Sequence, residues 1–142
     1  MAKAEALLPE DFILALSRLE ARTDEIVPKV LAAGGEVVLD AVRTRLRAVI
    51  GSGTKQPSRS SGELVDALGL APARLDRNGD YNVKVGFDEP RSDGGNNAKI
   101  ANVLEHGKHG QPPRPFLKPA KIASREACIA KMKQVFEEEA GK

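Results

Sequence analysis

Tyr81-Asn82-Val83-Lys84-Val85-Gly86-Phe87 is the stretch that decides the fold class of this chain. Large apolar residues fall at every second position with polar or small ones between them, the period of a strand with one buried face. Just before it, Asn78-Gly79 supplies the backbone freedom of a tight hairpin turn, which makes residues 73–75 the pairing partner. Pro72 cannot donate to a sheet ladder, so that partner belongs at an edge or at its own start. Elsewhere the strong periodicities are helical. The chain therefore reads as α+β, a small antiparallel sheet flanked by a long N-terminal helical segment and a C-terminal helix.

Upstream, Phe12, Leu16, Leu19, Ile26 and Val30 step at helical spacing, and Val38, Val42, Leu46, Val49 and Ile50 continue it. Pro28 predicts a kink or a restart near Asp24, a suitable N-cap. Gly34 and Gly35 either end one helix or are carried inside a long one, at about 1 kcal/mol each relative to Ala. We read a long, imperfect helical segment ending at Gly51. Residues 51–62, rich in Gly, Ser, Thr and Lys, are expected to form a mobile surface loop. Ser60 and Glu63 have the spacing of a capping box, but the pattern over 60–70 leaves helix and strand open.

Downstream, residues 88–97 form a second polar loop, expected to be mobile, and 98–106 a short buried element of either type. Residues 107–115 hold too many glycines and prolines to be regular. Pro119 suits a first helical position, and Ile122, Ile129, Met132 and Phe136 carry a helix to the end. Glu137, Glu138 and Glu139 oppose the dipole at that helix's C-terminus, so its last turn is expected to fray.

A chain of 142 residues fits one domain, with a core that must be aliphatic because it has no Trp, one Tyr and four Phe. Its 22 basic and 20 acidic residues leave a net charge of +2, which does not mark a dedicated nucleic-acid binder or a membrane-surface protein. The single cysteine, Cys128, lies in a helical pattern and reads as a small core residue. No signal peptide and no membrane span are apparent, so a soluble protein made in the cytoplasm is expected.

Catalytic patterns fail when tested. His106 and His109 are three apart, but glycines between and after them argue against a shared helix, and further zinc ligands do not appear at a recognisable spacing. Gly51-Ser52-Gly53-Thr54-Lys55 has Thr before its Lys, Gln after it and a helix leading in, so it is no phosphate-binding loop. There is no Gly-x-Ser-x-Gly elbow. We expect neither an enzyme nor a cofactor or metal. Arg43, Arg45 and Arg47 could meet DNA phosphates, although such a run is more often the solvated face of a helix.

The least ordinary stretch is Ala101-Asn102-Val103-Leu104-Glu105-His106-Gly107, followed by Pro113-Arg114-Pro115-Phe116-Leu117-Lys118-Pro119-Ala120. It resembles the small phage tail-component family typified by the tenth gene product of phage Hong Kong ninety-seven. There an alanine-containing segment ends in Glu-x-Gly, and after a variable loop Pro-Phe-Leu-x-Pro-Ala opens a C-terminal helix. Ser61-Gly62-Glu63-Leu64 stands where that family has Thr-Gly-x-Leu, and the 81–87 strand falls where a Val-Gly strand is expected. Lys108 departs from a Thr common after the glycine. The resemblance runs over roughly residues 12–136.

It implies an α+β fold and a structural virion protein of the head–tail junction, for tail completion or head–tail joining. It also implies a ring of identical subunits, a hexamer in the particle, stacked on other neck or tail-terminator proteins. Candidate interface residues are Thr54, Lys55 and Arg59 in the first polar loop and Arg91 in the second. Glu105, Pro115, Phe116 and Pro119 in the motif join them, with local packing of Phe116 as the alternative. The competing functions are a DNA-associated morphogenesis or packaging module using the helix around Arg43 and Arg47, and, last, a metal-dependent nuclease using the two histidines.

Overall fold

The computed structural model describes residues 10–50, 62–89 and 95–142. In chain order the elements are α1 (Glu10–Ala21), α2 (Thr23–Val49), α3 (Glu63–Ala67), β1 (Leu68–Leu70), β2 (Arg74–Leu75), β3 (Tyr81–Asn82), β4 (Val85–Phe87), α4 (Asn97–His106) and α5 (Leu117–Ala140). The class is α+β as the alternation at 81–87 implies. The loop read at 51–62 lies outside the described residues except for Gly62, as do residues 90–94 of the second loop.

The long helices pair antiparallel. Arg22 beside the start of α2 meets Glu139 near the end of α5, Gly34 meets Cys128 and Met132, and the far half of α2 shares a core with Phe116 and Ala120. At 27 residues α2 spans about 40 Å. It carries both glycines without a break, and geometry gives the reason. A Cβ on Gly34 would lie 2.6 Å from Met132 Cγ, and one on Gly35 would lie 2.7 Å from Leu70 Cδ1. One glycine lets α5 approach and the other seats the hairpin. Cys128 Sγ donates to the Gly34 carbonyl at 3.4 Å across the same contact.

Pro28 sits inside α2, and the restart expected near Asp24 occurs at Thr23, just after a break at Arg22. Asp24 is not the cap: it is the second residue of α2, and its carboxylate accepts a hydrogen bond from the Tyr81 hydroxyl at 3.0 Å. The strand at 81–87 is likewise split. β3 pairs with β2 and β4 with β1, both antiparallel, and the Ala71 N–H donates to the Lys84 carbonyl between the two ladders. Pro72 lies in that gap, which is where a residue without an N–H fits. The Asn78-Gly79 turn forms as expected, with Gly79 at φ +83° and Asp76 Oδ1 accepting from the N–H groups of Asn78 and Asp80.

Residues 60–70, left open by the sequence, hold both α3 and β1. Glu63 is the first residue of α3 and Gly62 its cap, so the capping-box register does not hold. The C-terminal helix continues to Ala140 instead of fraying. Glu139 is drawn against the start of α2 by Lys29 at 3.3 Å and Arg22 at 3.9 Å, with Lys142 at 3.0 Å, so its side chain is 12% exposed. The lysines hold its carboxyl below the ordinary glutamate range.

The buried core lies at the far half of α2: Leu39, Val42 and Leu46 pack with Leu64, Leu68, Ala101, Phe116 and Ala120. Gly34→Val should destabilise the chain by about 1–3 kcal/mol, since overpacking must part α2 from α5. Gly69→Ala, whose Cβ would meet nothing within 4 Å, should change stability by under about 0.5 kcal/mol. Urea unfolding of the two variants checks both.

Candidate functional site

An α-helix begins with four backbone N–H groups that have no partner inside it. At α5 these belong to Phe116, Leu117, Lys118 and position 119. Position 119 is proline and has none. The other three all donate to Glu105: Phe116 and Leu117 to Oε2 at 2.7 and 2.8 Å, Lys118 to Oε1 at 3.0 Å. The helical ladder then starts, with Ala120 donating to the Phe116 carbonyl at 3.2 Å. One carboxylate and one proline account for every orphan donor. Pro119 is thus the third helical residue, two later than the sequence placed it.

Glu105 reaches this position from the last turn of α4, where a carboxylate opposes its own helix's dipole. Turning to the N-terminus of α5 reverses the sign of that interaction. The residue is buried, 8% exposed. Burial alone would push its carboxyl up. The N–H groups of Lys118, Phe116 and Leu117, with His106 adding to them, outweigh that and hold it below the ordinary glutamate range.

Gly107 makes the reversal possible. It stands at φ +76°, and a Cβ there would come within 2.8 Å of Pro113 N and 2.9 Å of the Gln111 carbonyl. The loop folds back so tightly that the Arg114 N–H donates to the Leu104 carbonyl at 2.6 Å. Phe116 emerges from this turn fully buried, edge-on to Phe87 with ring centroids 6.4 Å apart. Its side chain packs in its own core, the alternative the sequence left open. Of the four motif candidates, Glu105 and Phe116 are buried, Pro119 is half-buried and Pro115 is exposed.

α4 repeats the device. Glu89 accepts from the N–H groups of Asn97 and Ala98 at 3.0 and 2.7 Å, while Asn96 Oδ1 accepts from Lys99 at 2.8 Å. Asn97, 1% exposed, donates through Nδ2 to the Asp88 carbonyl. Both described ends of the 88–97 loop are therefore pinned. Sequence spacing could not find Glu89, because its partners lie eight and nine residues away with no helical register between them.

Beside the capped end of α5 runs a groove of about 990 Å³ between α2, α5 and the hairpin. Its floor includes Val38, Val42, Val85 and Met132, and Lys84, Lys118 and Lys121 stand along its rim. All three lysines are exposed. No motif announces this groove, since its walls come from three separated segments.

The remaining candidates are dispersed. Thr54, Lys55, Arg59 and Arg91 lie outside the described residues. Arg43 pairs with Asp40 at 3.3 Å, and Arg45 and Arg47 are exposed. His106 and His109 are exposed, and among the described residues no three His, Cys, Asp or Glu side chains cluster as a metal site. Among the same residues no helix is long and apolar enough to cross a membrane.

A family model described as "Bacteriophage HK97-gp10, putative tail-component" matches residues 10–107, ending at the glycine of the Glu-x-Gly turn. No curated protein and no solved structure matches. The match covers well over half of the chain, and the chain belongs to this family.

Glu105→Gln should cost about 3 kcal/mol, because an amide offers one acceptor where three N–H groups converge and turns its own N–H groups against them. Glu137→Gln, at an exposed position, should cost under about 0.5 kcal/mol. Chemical denaturation of both variants gives the comparison.

Proposed function

We propose that this member of a phage tail-component family is a non-catalytic structural subunit of the head–tail junction, acting in tail completion or head–tail joining. It works in a ring of identical copies, six by the family resemblance, stacked against other neck or tail-terminator proteins in the virion. The family match over residues 10–107 carries the reading. The geometry supports it. Glu105 and Glu89 spend both oxygens on backbone N–H groups, so neither is placed to move a proton in a reaction. A helix pair fixed at both ends, by Glu105 and by the Glu139 cluster, suits a part that transmits load rather than one that opens around a substrate.

The second reading, a DNA-associated packaging module, draws on the exposed Arg45 and Arg47. Duplex binding that weakens steeply with salt would favour it. Any DNA contact in the ring reading is with a channel wall and is not sequence-specific.

Particle-producing cells lacking the chain should accumulate DNA-filled heads and finished tails that do not join, seen by electron microscopy of a lysate. Deleting residues 54–60, whose one apolar side chain is Pro57, should leave stability within about 1 kcal/mol yet give the same free heads and tails. Joined particles from the null strain would overturn the junction role, and joined particles from the loop deletion would remove that loop from the interface. Phe116→Ala, by contrast, should lose about 3–5 kcal/mol, and any joining defect should follow from unfolding.

A further inference from the structure

Among the described residues, α1 makes little contact with the rest of its own chain. Ile13 and Leu14 are 47% and 55% exposed, and among the described residues the one element α1 packs against substantially is α2, its neighbour in sequence. The groove between α2, α5 and the hairpin is the converse, an apolar floor that no described residue fills. Their charges are opposite. α1 opens on Glu10 and Asp11 and carries Glu20 against a single Arg18, whereas the groove rim carries Lys84, Lys118 and Lys121. Glu105 lines the same groove, but its carboxylate is committed to the α5 N-terminus.

The joint at Arg22 keeps α1 from reaching the groove of its own chain. The Arg22 N–H donates back to the carbonyls of Arg18 and Leu19, and its carbonyl accepts from Glu25 and Ile26, so helical bonding continues on both sides. The backbone there, at φ −101° and ψ 3°, makes no reversal. The guanidinium is fixed to the Glu139 carbonyl at 2.9 Å and the Lys142 carbonyl at 3.2 Å. α1 therefore projects beyond the α2–α5 pair, and the groove, level with Gly34, lies back along it.

We propose that α1 of one copy docks into the α2–α5–hairpin groove of a second copy. Glu10 and Asp11 then lie against the lysine rim, and Ile122, 69% exposed at the groove edge, is covered. Donor and acceptor are different surfaces of one chain, so each copy gives one contact and receives one. Such a heterologous contact closes into a ring when its rotation allows. The inference rests on the ring reading above and names the contact that builds the ring.

Cys128, the single cysteine of the chain, lines the groove and is free and half-buried, which makes a direct test available. Ile13→Cys in the full chain is oxidised across a concentration series and inside purified particles, and disulfide-linked peptides are mapped by mass. The expected result is an interchain ladder of dimers, trimers and longer species joining position 13 to Cys128, cut back to dimers by adding Cys128→Ser. In the wild-type background, Lys118→Glu with Lys121→Glu should weaken self-association tenfold or more in sedimentation, and adding Glu10→Lys with Asp11→Lys should restore it. A link confined to one chain, or no interchain link between these positions in solution or in particles, overturns the proposal. Particles that hold the chain at the junction without the link sink α1 docking and leave the junction role standing. Absence of the chain from particles sinks the junction role itself.

Discussion

Three N–H groups converging on the carboxylate of Glu105 tie together everything C-terminal to the hairpin. The bond set closes a loop that starts in the last turn of α4, passes the tight reversal at Gly107 and ends at the first turn of α5. Its consequences spread by geometry. With the start of α5 fixed, Phe116 enters the core against Phe87, and Ala120 one turn later joins the same core as Leu46 and Val42. Buried charge is costly unless hydrogen bonds satisfy it. Glu105 meets that condition through a helix end that needed an acceptor in any case.

The opposite end of the molecule is closed by a different chemistry. There Glu139 is held by the half-buried Arg22 and the exposed Lys29 and Lys142, a surface arrangement that salt screens. Between the two ends, the adjacent glycines of α2 set the spacing, one towards α5 and one towards the hairpin. Beside the close approach at Gly34, residues of α2, α5 and the hairpin line the apolar groove. A contact that makes the helix pair rigid thus also shapes a surface on which an assembly can be built.

Much of this was legible in the sequence because the signals were local. Alternation at 81–87, Asn78-Gly79 and the helical stripes each express a rule that acts over a few residues. The motif around Glu105 was legible as a pattern and not as a mechanism, because the pairing of a glutamate with donors eleven to thirteen residues on depends on a turn whose path glycines and prolines leave unspecified. The errors have the same origin. Asp24 looked like a cap until Tyr81, far away in sequence, claimed its carboxylate. Glu139 looked unfavourable because its helix was judged alone, before Lys29 of α2 was in view. The groove, whose walls come from three segments, had no sequence signal.

The dependence of the C-terminal half on one ionised carboxylate has a definite electrostatic signature. A group whose folded pKa is depressed stabilises the fold above its unfolded pKa and loses that contribution as pH falls through the folded value. The direct measurement is a pH titration of the Glu105 side-chain carboxyl by carbon-detected NMR on the folded chain. The account predicts a midpoint below the roughly 4.3 of a free glutamate, with the amide signals of Phe116, Leu117 and Lys118 shifting at the same midpoint. A midpoint at or above that value, or amides that do not follow it, would contradict the claim that Glu105 holds the start of α5.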